Sequence, residues 1–143
     1  MRGVGAAAGL VLALGACDST DAVIEPVAVT GQEISCDLEV EGLTARCVDE
    51  MSDARVSGTM DVLLDCEPAA GFYMCTGDLL LTNDNGTWKG VTVGVIENDA
   101  DGGRNVYSSI LEGTADYDGL RYTLHSDGAD WPWDVTGVIE PIG

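Results

Sequence analysis

Arg55 to Thr82 read RVSGTMDVLLDCEPAAGFYMCTGDLLLT, and this stretch decides the fold. Alternate positions carry one face on each side of Ala69-Ala70-Gly71-Phe72. Val56, Gly58, Met60, Val62 and Leu64 share a face with Cys66; Tyr73, Gly77, Leu79 and Leu81 share one with Cys75. A period of two marks a half-buried strand, because successive side chains point to opposite faces. A turn through 69–72 folds one strand onto the other and sets Cys66 opposite Cys75. The unit is an antiparallel hairpin whose register is marked by a cysteine pair.

The same rhythm runs outward in both directions, as alternating runs separated by glycine and aspartate clusters, with no helical period of useful length. Eight strands are expected, near 33–40, 43–50, 55–66, 72–82, 87–97, 104–116, 119–126 and 133–140. Upstream, a two-residue loop at Glu41-Gly42 sets Val40 against Leu43, Asp37 against Arg46 as an ion pair, and Cys36 against Cys47. Downstream, Asp118-Gly119 suits the positive φ angles of a type I′ turn. That turn sets Tyr117 against Leu120, Asp116 against Arg121 and Glu112 against His125, the last two pairs on a charged face. Over Asn83 to Gly86, a two- or four-residue turn carries the inward face from Leu81 to Trp88, burying an indole and leaving Lys89 outside. Hairpin-linked strands leave two edges unless the sheet closes. The expected fold class is therefore all-β, an eight-stranded antiparallel up-and-down barrel, with a two-sheet β-sandwich as the alternative.

At the amino terminus, Arg2 precedes an apolar run of glycine, alanine, valine and leucine from Gly3 to Ala16. A positive n-region before a short h-region reads as a signal peptide, since a membrane-crossing helix needs about 20 apolar residues. The run ends in Leu14-Gly15-Ala16-Cys17, which resembles the lipobox of bacterial lipoproteins. The resemblance implies cleavage after residue 16 and diacylglycerol on Cys17. The chain would then sit in the cell envelope, lipid-anchored on the extracytoplasmic side, with the bilayer as a partner. On this reading 1–16 is a signal peptide, 17–32 a lipidated N-terminus and tether, and 33–143 the barrel domain.

Charge narrows the partners further. The 143 residues hold 25 acidic against 6 basic side chains, a net −19, and removing the first sixteen makes it about −20. Such a field repels phosphate backbones, which excludes nucleic acid. Four cysteines besides Cys17 fit an exported chain in which disulfides persist. No C-x-x-C step occurs and there is one histidine, which argues against zinc and against a redox thiol.

Ser52 to Thr59 and Asn83 to Gly90 look like segments of secreted bacterial β-proteins. Gly113 to Tyr122, with glycine, tyrosine and then Asp-Gly before a strand, is similar to the closing hairpin of allene-oxide-cyclase and dirigent-type barrels. That resemblance implies a barrel cavity able to host an enzyme or isomerase, although no catalytic residue of those families is matched here.

Candidate sites follow from the residues themselves. Trp131 and Trp133 flank Pro132 at the start of the last strand, and with Tyr107 and Tyr122 on neighbouring strands they can stack on a ligand. Glu97, Asp99 and Asp101 before Gly102 resemble the first half of a calcium loop, but Ser108 stands where a bidentate glutamate belongs. Val91, Val93 and Val95 form an apolar ladder on the outside, a candidate surface for a homo-oligomer or a protein partner. His125 has no serine, cysteine or second histidine to complete a catalytic set. The expected role is non-enzymatic binding or envelope-structural work without a resident cofactor, and the alternative is a barrel-cavity enzyme. An open cavity lined by a buried aspartate and tyrosine favours the alternative; an interior filled by side chains favours the first.

Overall fold

The computed structural model describes residues 25–39, 43–97 and 104–143. Among them are eight strands: β1 (Val27–Glu39), β2 (Thr44–Met51), β3 (Gly58–Ala69), β4 (Phe72–Asn83), β5 (Gly86–Glu97), β6 (Asn105–Gly113), β7 (Leu120–Gly128) and β8 (Trp133–Pro141). Each pairs antiparallel with the next and β1 pairs with β8, so the sheet is a closed up-and-down barrel. Closure removes both edges and turns alternate residues of every strand inward.

Registers follow from the turns. Ala69 faces Phe72 and Cys66 faces Cys75, with a disulfide across the pair. A second disulfide joins Cys36 and Cys47 across β1 and β2. Asn83 faces Gly86, which leaves Asp84-Asn85 as the loop and carries the inward face from Leu81 to a fully buried Trp88.

Three local expectations are corrected. The first strand begins at Val27, not near residue 33, and Val27 to Glu33 pair with β8. Val29 is core, so the stretch assigned to the tether supplies the strand that closes the barrel. Asp37 does lie opposite Arg46, but the guanidinium reaches across to Asp61 on β3 at 2.7 Å. The connection from β6 to β7 is not a two-residue turn. A 3-10 turn at Ala115–Tyr117 intervenes, Glu112 faces Arg121, and His125 faces Ser108 with its Nδ1 3.0 Å from the Ser108 hydroxyl. The cause is Tyr117, which leaves the strand to stack on Trp88 at a centroid distance of 5.0 Å.

That stack builds a floor across one end of the barrel. Tyr122 meets Trp88 edge-on at 5.9 Å, and Val56, Leu81 and Leu120 belong to the same buried cluster. The polar groups of Trp88 and Tyr117 themselves are satisfied. The indole Nε1 of Trp88 donates to the Arg55 carbonyl at 2.8 Å; Asn83 Nδ2 donates to the Arg55 and Ser57 carbonyls; Tyr117 donates to Asn83 Oδ1 at 2.6 Å.

Candidate functional site

Above the floor the interior is not filled. A cavity of about 290 Å³ opens at the other end, walled by Ala45, Val62, Leu64 and Leu79 and by the Cys36–Cys47 bridge. Its size lies at the small end of the ~300–1,000 Å³ usual for ligand clefts, and its walls are mostly apolar as such clefts are. Trp131 and Trp133 also line it, stacked on each other at 3.9 Å, with Trp131 exposed and Trp133 buried.

Acid residues reach this interior from two strands. Glu33 lines the cavity and is 2 % exposed; Asp49, opposite it on β2, is 1 % exposed. Asp49 stands two residues from Cys47, so plain alternation turns both inward. Glu33 is three residues from Cys36, and both cannot face inward on a regular strand. The register between β1 and β2 slips between Glu33 and Ser35, and this extra residue returns Glu33 to the inner face.

The hydroxyl of Tyr107 donates to Glu33 Oε1 at 3.0 Å. Among the described residues, Glu33 Oε2 and both oxygens of Asp49 have no hydrogen-bond partner, nor do Asn105 Oδ1, the Tyr122 hydroxyl and Trp133 Nε1. Burial, and then the neighbouring Asp49, raise the Glu33 carboxyl to about 8, against the smaller opposing effect of the Tyr107 hydrogen bond. Burial raises Asp49 to about 7. Tyr107 is pushed far above the ordinary phenol value, by burial first and then by the two carboxyls; Tyr122 is raised by burial and by Asp49. Below neutrality this end of the barrel therefore holds two uncharged carboxylic acids, because a desolvated carboxylate with one donor at most and no cation is costly.

Trp131, Trp133 and Tyr107 come together around the cavity, whereas Tyr122 sits in the floor against Trp88 and does not line it. Sequence patterning alone does not single out Glu33 and Asp49. Asp49 carries a signal, its shared face with Cys47; the slip that places Glu33 has no motif.

On the outer wall Val91 and Val93 are 57 % and 58 % exposed, and Ile110 beside Val91 extends the patch onto β6. Val95 departs from that ladder: it is half-buried and contributes to the cavity rim. Glu97 is exposed at the end of β5, while Asp99 and Asp101 lie outside the described residues, as do Leu14 to Cys17. Glu33, Cys36 and Cys47 group closely enough to suggest a metal site, but both sulfurs are committed to a disulfide and do not form a donor set.

Two disulfides suit an oxidising, extracytoplasmic compartment. No protein-family model matches the chain, and no curated protein or solved structure matches it.

Proposed function

We propose that this chain is a lipid-anchored envelope protein whose barrel binds a small, largely apolar molecule at its open end. The observation that carries the reading is the asymmetry of the interior, with Trp88 and Tyr117 stacked across one end and a cavity of about 290 Å³ at the other. A purely structural barrel gains nothing from an unfilled interior, because missing contacts and unpartnered polar groups both cost stability. A binding barrel tolerates that cost. The lipid anchor rests on Leu14 to Cys17 and on the two disulfides.

Two experiments test this. Titrating the full chain with 2-phenylethanol and with 2-phenylethylamine should quench tryptophan emission saturably with at least one probe, through Trp131 and Trp133. No saturable change with either would sink the binding reading. Separately, Cys17→Ser should release the protein from the membrane fraction; retention with unchanged cleavage would remove the anchor.

A second reading has its own support in the cluster of Glu33, Asp49 and Tyr107. A buried carboxyl raised to about 8 beside a cavity is a suitable general acid near neutrality. Under this reading the barrel is a cavity enzyme that protonates a bound substrate, and Glu33→Gln would abolish turnover while leaving binding of neutral probes unchanged.

A further inference from the structure

We infer that the ligand of this cavity is an ammonium carried on a small apolar body, with Glu33 as its counter-ion; the inference rests on the cavity-binding reading above. Among the described residues, those that line the cavity hold three buried polar atoms without a partner: Asn105 Oδ1, the donor Trp133 Nε1, and Glu33 Oε2, which is an acceptor once the carboxyl ionises. Behind Glu33 stand the two carboxyl oxygens of Asp49, also without a partner among the described residues. Among the described residues that line the cavity there is no lysine, arginine or histidine. A ligand that completes this site brings several N–H donors and a positive charge, and an ammonium has both.

Other ligand classes fit less well. An anionic ligand, such as a fatty acid, meets two carboxyls and no cation. A neutral alcohol brings one donor and leaves Glu33 without a charge partner. The aromatic lip of Trp131 and Trp133, with Tyr107 below, offers ring faces that attract a cation as it enters. The chain's net charge of −19 draws cations from solution in the same direction.

Binding moves one proton. Before binding, the Glu33 carboxyl is protonated at pH 6 to 7 and the free amine is an ammonium. On binding, the Glu33 proton leaves for solvent and the carboxylate pairs with the ammonium, which keeps its own protons. The titratable groups facing Glu33 are Asp49 from β2 and Tyr107 from β6, while β8 presents the non-titrating Trp133. Tyr122 on β7 feels Asp49.

Calorimetry and tryptophan fluorescence with 2-phenylethylamine and its neutral counterpart 2-phenylethanol decide the matter on the full chain. The amine should bind more tightly by about tenfold or more at pH 8. Its affinity should fall toward pH 6 by up to about tenfold per pH unit, while the alcohol's stays level. Heats measured at pH 6.5 in phosphate and in Tris should differ by close to one times the difference between the two buffers' ionisation heats, the signature of about one released proton. Glu33→Gln, checked for fold by circular dichroism, should erase the preference for the amine. Equal binding of the two probes, or amine binding without proton release at pH 6.5, would overturn the ammonium assignment and leave the binding reading standing. If neither probe binds, both fall together. The proton count and the pH profile need no variant, so a misfolded Glu33→Gln would leave the test intact.

Discussion

Glu33 and Asp49 face each other inside the barrel, yet only one of them is placed there by simple alternation. The same rule, applied on β5, separates Trp88 from Val93. Trp88 is 0 % exposed and carries the floor, so Trp88→Ala should cost about 3–5 kcal/mol in urea unfolding, the range for emptying a large aromatic site. Part of that loss is the hydrogen bond to the Arg55 carbonyl. Val93 is on the outer wall, and Val93→Glu should leave stability within about 0.5 kcal/mol of the parent. Sedimentation of the same variant reads the outer patch: a smaller particle than the parent would identify Val91, Val93 and Ile110 as a contact between copies.

At the scale of elements, the β3–β4 hairpin is the most local unit and its disulfide closes a separation of only nine residues. Replacing Cys66 and Cys75 together with serine should therefore cost about 2–3 kcal/mol and keep the barrel, as a lower urea midpoint with the circular dichroism of the parent would demonstrate. The contact between β5 and β6 is less forgiving. At Gly90 a β-carbon would collide with the Ile110 carbonyl, so even Gly90→Ala must push the two strands apart. A loss of about 1–3 kcal/mol is expected by thermal unfolding, despite the smallest of substitutions. The β6–β7 connection behaves in the opposite way. Asp118-Gly119 is a good turn dipeptide, and Gly119 does take a positive φ of 84°. Yet Tyr117 gains more by stacking on Trp88 than it would by continuing a ladder, and the register moves accordingly.

For the whole molecule the two buried acids set a pH dependence. In the unfolded chain they ionise near their ordinary values, 4.5 for Glu33 and 3.8 for Asp49; in the barrel they hold their protons to about 8 and about 7. Between those limits the folded state binds more protons than the unfolded one, so stability falls as pH rises. It is fully present below about pH 4, is lost progressively up to about pH 8, and is level beyond. Chemical denaturation across pH 4 to 9 should reveal the slope, and Glu33→Gln with Asp49→Asn should flatten it. A slope that persists in the double variant would place its source elsewhere.

Sequence by itself left a closed barrel undecided against a two-sheet sandwich, but it determined the number and order of the strands, the inward placement of Trp88 and the strand registers marked by the cysteine pairs. Each of these follows from a period of two and from turns of known length, both of which are local. Only the tertiary structure decided where the barrel closes and what its interior holds. Val27 to Glu33 have no turn signal of their own and become a strand because β8 supplies the partner. A single extra residue in β1 turns Glu33 inward, and Tyr117 leaves its ladder for an indole on another strand. A one-residue slip reverses a side chain's face without changing composition or period. The acid site arose from such a slip, and closure of the sheet brought β1, β2, β6 and β8 around it.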